Sequence, residues 1–236
     1  MGLMIFAVLP FLLALAAHLP GRKIFVPGAM AAMFAGALTL LPQLNDGEVL
    51  TYTLNWVPDL GLSLSFYIDG LALLFVALVT FVGTAVFHYA AHYFDTEEEL
   101  TRFYRWLLVF TGAMLWLVTA GNLLALFVAW ELTSVSSFML IGFKGNKYQS
   151  ARYGASQALA VTGLGGLALV VGVLLIASAA GSMEYTDVLN MSLADHPYYN
   201  GVVAMIALAA FTKSAQFPFQ FWLPGAMAAP TMAMIE

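Results

Sequence analysis

The sequence contains no cysteine, which excludes disulfides, thiolate metal sites and iron–sulfur ligation from this chain. Charge is nearly as scarce: 9% of the residues are Asp, Glu, Lys or Arg, against about a quarter in soluble domains. The histidines stand at positions 18, 88, 92 and 196, and only His88 and His92 have the spacing of two ligands on one helix face. They border polar sequence at the end of an apolar run and read as interfacial, so neither a metal nor any other cofactor is expected. There is no P-loop, and no basic patch large enough for nucleic acid. No positive region precedes Leu3, and the basic pair Arg22-Lys23 follows the first apolar run instead. That order predicts a retained helix with its N-terminus outside, not a cleavable signal.

What the chain has in abundance is apolar sequence, 62% of 236 residues. A water-soluble fold of this size could not hide so much apolar surface, whereas a lipid-facing exterior removes the difficulty. Seven apolar runs can be read: Leu3–Leu19, Ile24–Leu41, Ile68–Phe87, Phe103–Ala120, Leu123–Phe143, Gly154–Ala180 and Val202–Leu223. Eighteen helical residues rise ~27 Å, close to a hydrocarbon core of ~30 Å. Gly121-Asn122 is the tight turn between the fourth and fifth runs. With the N-terminus outside, the inner connections hold Arg22, Lys23, Arg102, Arg105, Lys144, Lys147 and Arg152. The outer ones hold no Lys or Arg, only acids such as Asp46, Glu48, Asp59, Glu184, Asp187 and Asp195. Such an asymmetry is what positive-inside orientation requires. The expectation is an all-α integral membrane protein of about seven transmembrane helices.

Two local patterns stand out. Between residues 43 and 67, Thr51–Trp56 and Leu62–Phe66 alternate with period two around the turn residues 57–61, which predicts a short β-hairpin on the outer side. In the sixth run, Thr162 with Gly166 and Ala168 with Gly172 are small residues four apart, which lets helices approach closely in lipid.

Once loop and boundary charges are set aside, Glu131 and Lys213 remain deep inside apolar runs. Asp69 stands at the outer start of its helix and can reach water. Glu131 lies about 14 Å below the outer end of helix five, and Lys213 about 16 Å below that of helix seven. Each, isolated, costs about 2.5–3.5 kcal/mol to insert. Equal depth suggests that they are mutual partners, with an attraction of ~4 kcal/mol at about 4 Å and an effective dielectric of about 20. Doubling the distance halves that attraction, so a small movement could let Lys213 release and recapture a proton with Glu131 as electrostatic gate. Lys213, Gln216 and Gln220 fall at i, i+3 and i+7, a polar stripe if the helix continues. Pro218 and Pro224 cannot bond back to Ser214 and Gln220, which predicts a proline-broken helix seven of the kind found at transporter ion sites. Ser134 and its neighbouring hydroxyls could hold water or bond other helices, and His88 could relay protons at the inner mouth. The alternative for the glutamines and hydroxyls is helix packing; for Glu131 and Lys213 it is a static bridge.

Trp130-Glu131-Leu132-Thr133-Ser134-Val135-Ser136-Ser137-Phe138 and Phe211-Thr212-Lys213-Ser214-Ala215-Gln216-Phe217-Pro218-Phe219-Gln220-Phe221-Trp222-Leu223-Pro224 resemble the fifth- and seventh-helix signatures of the proton-conducting antiporter family. That family joins the large subunits of Mrp antiporters to the antiporter-like subunits of respiratory complex I, and the wording here is nearer to the large Mrp subunit. The resemblance implies that Glu131 and Lys213 are the ion-pair element of proton transfer. It further implies a multi-pass subunit of the inner (cytoplasmic) membrane, not an enzyme, moving H⁺ against Na⁺ or K⁺ beside other membrane subunits. Residues 1–93 would hold three helices with the outer hairpin. Residues 94–236 would begin the family's first antiporter repeat, helices four to seven, and stop before the eighth. A complex I-type proton pump and a non-transporting membrane scaffold are the alternative readings.

Overall fold

The computed structural model describes residues 4–44, 47–57 and 62–227. It divides into two compact units, residues 1–56 with 63–121, and residues 57–62 with 122–236. Of the turn expected at 57–61, Val57 is extended strand, and residues 58–61, the acid Asp46 and the closing stretch from 228 onward lie outside the described residues.

The first unit opens with α1 (Met4–Ala16), α2 (Arg22–Leu38) and the single turn α3 (Leu41–Leu44). Strands β1 (Leu50–Val57) and β2 (Leu62–Ile68) then pair in a two-stranded sheet, in agreement with the period-two pattern. Asp69 starts α4 (Gly70–Tyr93) by accepting a bond from the Ala72 N–H at 2.8 Å, so the acid at the helix start is its cap. Thr96 caps α5 (Glu97–Thr119) through the Glu99 N–H at 3.3 Å. Three glutamates fill that first turn, where the helix dipole favours negative charge. Helix α2 packs on α4, and α5 packs on α1 and α4. Tyr104, fully buried, stands edge-on to Phe87 and donates to the Phe87 carbonyl at 2.6 Å. Strand β2 is tied to the end of α5 by the Gly121 N–H, which donates to Ser65 O at 2.8 Å. A Cβ on Gly121 would stand 3.0–3.2 Å from Ser65 and Phe66, so this close approach needs glycine.

At the opposite end of these helices, Arg22 and Lys23 both pair with the Glu97 carboxylate, Lys23 at 2.8 Å. Arg22 is buried and also reaches the carbonyls of Leu19 and Glu97, each at 3.2 Å.

The second unit contains α6 (Leu123–Ile141), α7 (Gln149–Ala180), α8 (Tyr185–Leu189), α9 (Tyr199–Lys213), a 3-10 turn at Gln220–Trp222 and α10 (Leu223–Ala226). Asn122 caps α6 through the N–H groups of Leu124 and Ala125, and its amide donates to Glu184 at 2.9 Å. Helix α7 packs along α6, α9 and α10. Its 32 residues end at Gly181, whose φ of 68° is the left-handed cap that glycine allows.

Among the described residues, four stretches are long and apolar enough to cross a membrane: Arg22–Leu44, Gly70–Tyr93, Leu123–Ile141 and Gln149–Ala180. Helices α1 and α9 are apolar but shorter, at 13 and 15 residues. Large apolar side chains lie exposed in rows, for instance Leu71, Leu74, Leu78 and Phe81 on α4, and Leu164, Leu167, Val171 and Leu174 on α7. Rows at such spacing put one apolar face of each helix outward, as a lipid solvent requires.

One expectation is corrected. The seventh run, Val202–Leu223, is expected to hold a helix broken at its prolines, but α9 stops at Lys213, before either proline. Ala215 takes a left-handed φ of 51°, which turns the chain. Pro218 falls in that turn, and Pro224 stands in the first turn of α10, where its missing N–H costs nothing.

The basic pair at Glu97 leads to a pH prediction. Hydrogen bonding from Lys23, together with the charges of Lys23 and Arg22, holds the Glu97 carboxyl below the usual carboxylate range. A carboxylate with a depressed folded-state pKa stabilises the fold above its unfolded value, and that contribution is lost as pH falls through the folded one. Glu97→Gln is expected to lower the melting temperature of the detergent-solubilised protein at neutral pH. The gap to wild type should close as the pH is lowered past the carboxylate range; a gap constant with pH would contradict the assignment.

Candidate functional site

Lys213 is the last residue of α9, and its ammonium crosses to α6. It donates to Thr133 Oγ1 at 2.7 Å, to Ser134 Oγ at 2.8 Å and to the Trp130 carbonyl at 3.4 Å. It also stands 5.1 Å from the centroid of the Trp130 ring, within cation–π range. Positions 130, 133 and 134 share one face of α6, because i, i+3 and i+4 recur on a helix surface. Thr133 and Ser134 donate their own hydroxyl protons back to Trp130 O, at 2.7 and 3.3 Å. Their lone pairs are thereby turned toward the ammonium.

Glu131 is on the same helix but, at about 100° per residue, points away from the middle of that face by roughly 110°. Within 4.0 Å, no ion pair joins Glu131 to Lys213 among the described residues. The expected contact pair between Glu131 and Lys213 is therefore not formed, although each charge still acts on the other at longer range. The Glu131 carboxylate faces α7 instead, where it meets Gly166, and its Oε1 is buried with no hydrogen-bond partner among the described residues.

The end of α9 accounts for its own carbonyls. Ala209 O accepts from Thr212 Oγ1 at 2.8 Å, Ala210 O from the Ser214 N–H at 2.9 Å, and Phe211 O from the Gln216 N–H at 2.9 Å. Thr212 O accepts the indole N–H of Trp222 at 3.0 Å. The carbonyls that the prolines leave free also find partners, Ser214 O from Gln216 Nε2 at 3.4 Å and Gln220 O from the Leu223 N–H. The predicted helical stripe of Lys213, Gln216 and Gln220 is not formed, because the helix ends at its first member; the glutamines fall in the turns that follow. Ser134 accepts directly from Lys213. His88 belongs to the first unit, on α4, beside His92 and in a cleft lined also by Lys23 and Thr84. Sequence reasoning missed Trp130 O, Thr133 as a direct ligand, and Gly165 altogether.

In class, then, this is a helical membrane protein with an acid and a cation half-buried among its apolar helices. Comparison with known proteins gives the family. The model described as NADH:quinone oxidoreductase/Mrp antiporter, TM matches residues 120–235, and that described as NADH-Ubiquinone oxidoreductase (complex I), chain 5 N-terminus matches residues 54–104. The probable K⁺/H⁺ antiporter A/B subunit of Rhizobium meliloti (strain 1021) is 44% identical over 97% of this chain and 24% of its own length. The A1 subunit of the Na⁺/H⁺ antiporter of Staphylococcus aureus is 41% identical over 88% of this chain and 26% of its own. The Mrp complex structure from Dietzia sp. DQ12-45-1b superposes with a TM-score of 0.86 at 32% identity, covering 99% of this chain and 26% of that one. The chain belongs to the family of NADH:quinone oxidoreductase and Mrp antiporter membrane subunits, and it spans about a quarter of the length of these relatives.

The ligand set of Lys213 makes a stability prediction. Thr133→Val keeps the shape and removes an acceptor from a half-buried cation, and Ser134→Ala removes a second one. Each is expected to destabilise the folded protein by about 1.5–3 kcal/mol, the scale of a hydrogen bond to a charged group, read as a lower melting temperature in detergent. Unchanged melting in both would mean that the hydroxyls do not hold the ammonium.

Proposed function

We propose that this chain is part of an ion-translocating subunit of a multi-subunit monovalent cation/proton antiporter, in which Lys213 exchanges protons and Glu131 sets the local field. The observation that carries this reading is the ammonium at the end of α9, held by neutral oxygens of α6 while a half-buried acid nearby, its Oε1 enclosed, does not contact it. Ionisable groups retained among apolar helices mark ion pathways by default. The names of the relatives point the same way.

In this reading α1, α2, α4, α5, α6, α7 and α9 make seven crossings of the cytoplasmic membrane with the N-terminus outside. The basic residues at 22, 23, 102, 105, 144, 147 and 152 then face the cytoplasm. Ser134 and Thr133 hold the proton-carrying nitrogen. Gln216 and Gln220 supply the next polar groups beyond the helix end, around the turn containing Pro218. His88, on α4, would be a proton relay near the inner end of that helix. The exported ion is Na⁺ or K⁺, and the remaining path comes from further membrane subunits or segments. A second reading, a proton-pumping subunit of complex I type, is favoured by the descriptions of both family models; it predicts transport that stops when the quinone reductant is withdrawn.

Lys213→Ala in the complete assembly is expected to abolish Na⁺- or K⁺-dependent proton movement into vesicles. Antiport at the wild-type rate would remove Lys213 from the path.

A further inference from the structure

Helix α7 carries adjacent glycines, Gly165 and Gly166, opposite its two neighbours. A side chain begun at Gly165 would overlap Thr212 Oγ1 on α9 and stand 3.0 Å from Thr212 Cβ and 3.4 Å from Ala209 O. One begun at Gly166 would overlap Glu131 Oε1 on α6 and stand 2.7 Å from its Cδ and 3.4 Å from Oε2. Gly163, on the same helix, has nothing within 4 Å. The small-residue character of α7 therefore has separate causes, and of these three glycines only Gly166 faces a charge.

We propose that Gly166 is a positioning residue for ion transfer: the space left by its missing side chain is where the Glu131 carboxylate lies. This deepens the assignment of Glu131 and Lys213 made above and rests on it. Glu131 Oε1 has no hydrogen-bond donor among the described residues, so the carboxylate is placed by shape, against bare backbone, and not by a partner. The nearby hydroxyls of Thr133 and Ser134 give their protons to Trp130 O and accept from Lys213 instead. At Gly165 the obstacle includes Thr212 Cβ at 3.0 Å, which no rotamer change can move, so a methyl there presses on α9 itself. At Gly166 the obstacle is the far end of a flexible side chain, which yields by changing rotamer. A methyl at 166 thus moves a charge and leaves the packing of the helices in place, and the field at Lys213 changes with it.

The experiment compares cation-dependent proton movement against pH in vesicles holding the complete antiporter assembly. The variants are Gly163→Ala, Gly166→Ala, Glu131→Asp and the double variant Gly166→Ala with Glu131→Asp, beside Glu131→Gln and Lys213→Ala. Gly163→Ala should match wild type. Gly166→Ala should assemble normally, show a displaced pH profile and lose about a hundredfold in rate at the wild-type optimum, the scale of a roughly 1 Å misplacement. Shortening Glu131 by one methylene should make room, so the double variant should run faster than Gly166→Ala alone and return toward the wild-type profile. A Gly166→Ala variant with wild-type rate and profile, while Glu131→Gln and Lys213→Ala abolish transport, overturns the positioning role alone. A defect shared by Gly163→Ala, or one that Glu131→Asp does not relieve, overturns it as well, since either would be a helix effect. Full transport by Glu131→Gln and Lys213→Ala overturns both this role and the reading beneath it.

Discussion

A primary ammonium among apolar helices must be given oxygen, and the second unit is arranged around doing so for Lys213. Three acceptors come from one face of α6, and two of them are hydroxyls already turned by their own bonds to Trp130 O. The position of Lys213 in α9 serves the same end. A helix that stops within apolar surroundings exposes its last carbonyls, and a cation in the last turn is the charge that the C-terminal dipole favours. The remaining carbonyls are closed by Ser214, Gln216 and the Trp222 indole, so the chain can leave helical conformation there without stranding polar backbone.

That arrangement requires α6, α7 and α9 to come close, and α7 is built to allow it. Gly165 faces Thr212, one residue before the lysine, and Gly166 faces Glu131, one residue after Trp130. A Cβ on Gly172 would come within 3.1 Å of Ile206 further along α9, and Ala168 lies in the apolar cluster shared by these helices. Without a hydrophobic force between helices in lipid, such backbone proximity supplies the packing that holds them together.

Much of this was legible in the sequence because membranes make charge informative. Glu131 and Lys213 could be singled out by subtraction, since every other charge borders a loop. The hairpin was legible from its period-two pattern, and the α5–α6 turn from Gly121-Asn122. What sequence spacing could not show is which way a side chain points. Equal depth made Glu131 and Lys213 look like a contact pair, but one-residue offsets on a helix amount to about 100°, and Glu131 is on the wrong side of that offset. The end of α9 was misplaced for a related reason. Proline is a visible breaker, while Ala215 in a left-handed conformation carries no sequence signal at all. The roles of Gly165 and Gly166 depend on what lies opposite, which periodicity alone does not report.

The absence of a contact pair suits the proposed role better than its presence would. A carboxylate at about 4 Å, with an effective dielectric of about 20, would hold the charged lysine by ~4 kcal/mol, about a thousandfold against proton release. It could also only accept hydrogen bonds, so the lone pair of a neutral amine beside it would find no donor there. Hydroxyls accept and donate. When Lys213 is charged, Thr133 and Ser134 give it lone pairs and send their protons to Trp130 O. When it is neutral, either hydroxyl can rotate its proton toward the amine lone pair, leaving the nitrogen satisfied in both states. A site satisfied in both states places less of the barrier on the proton-transfer step. The carboxylate of Glu131, held off against α7, is then free to bias the exchange through its field without binding the proton carrier shut.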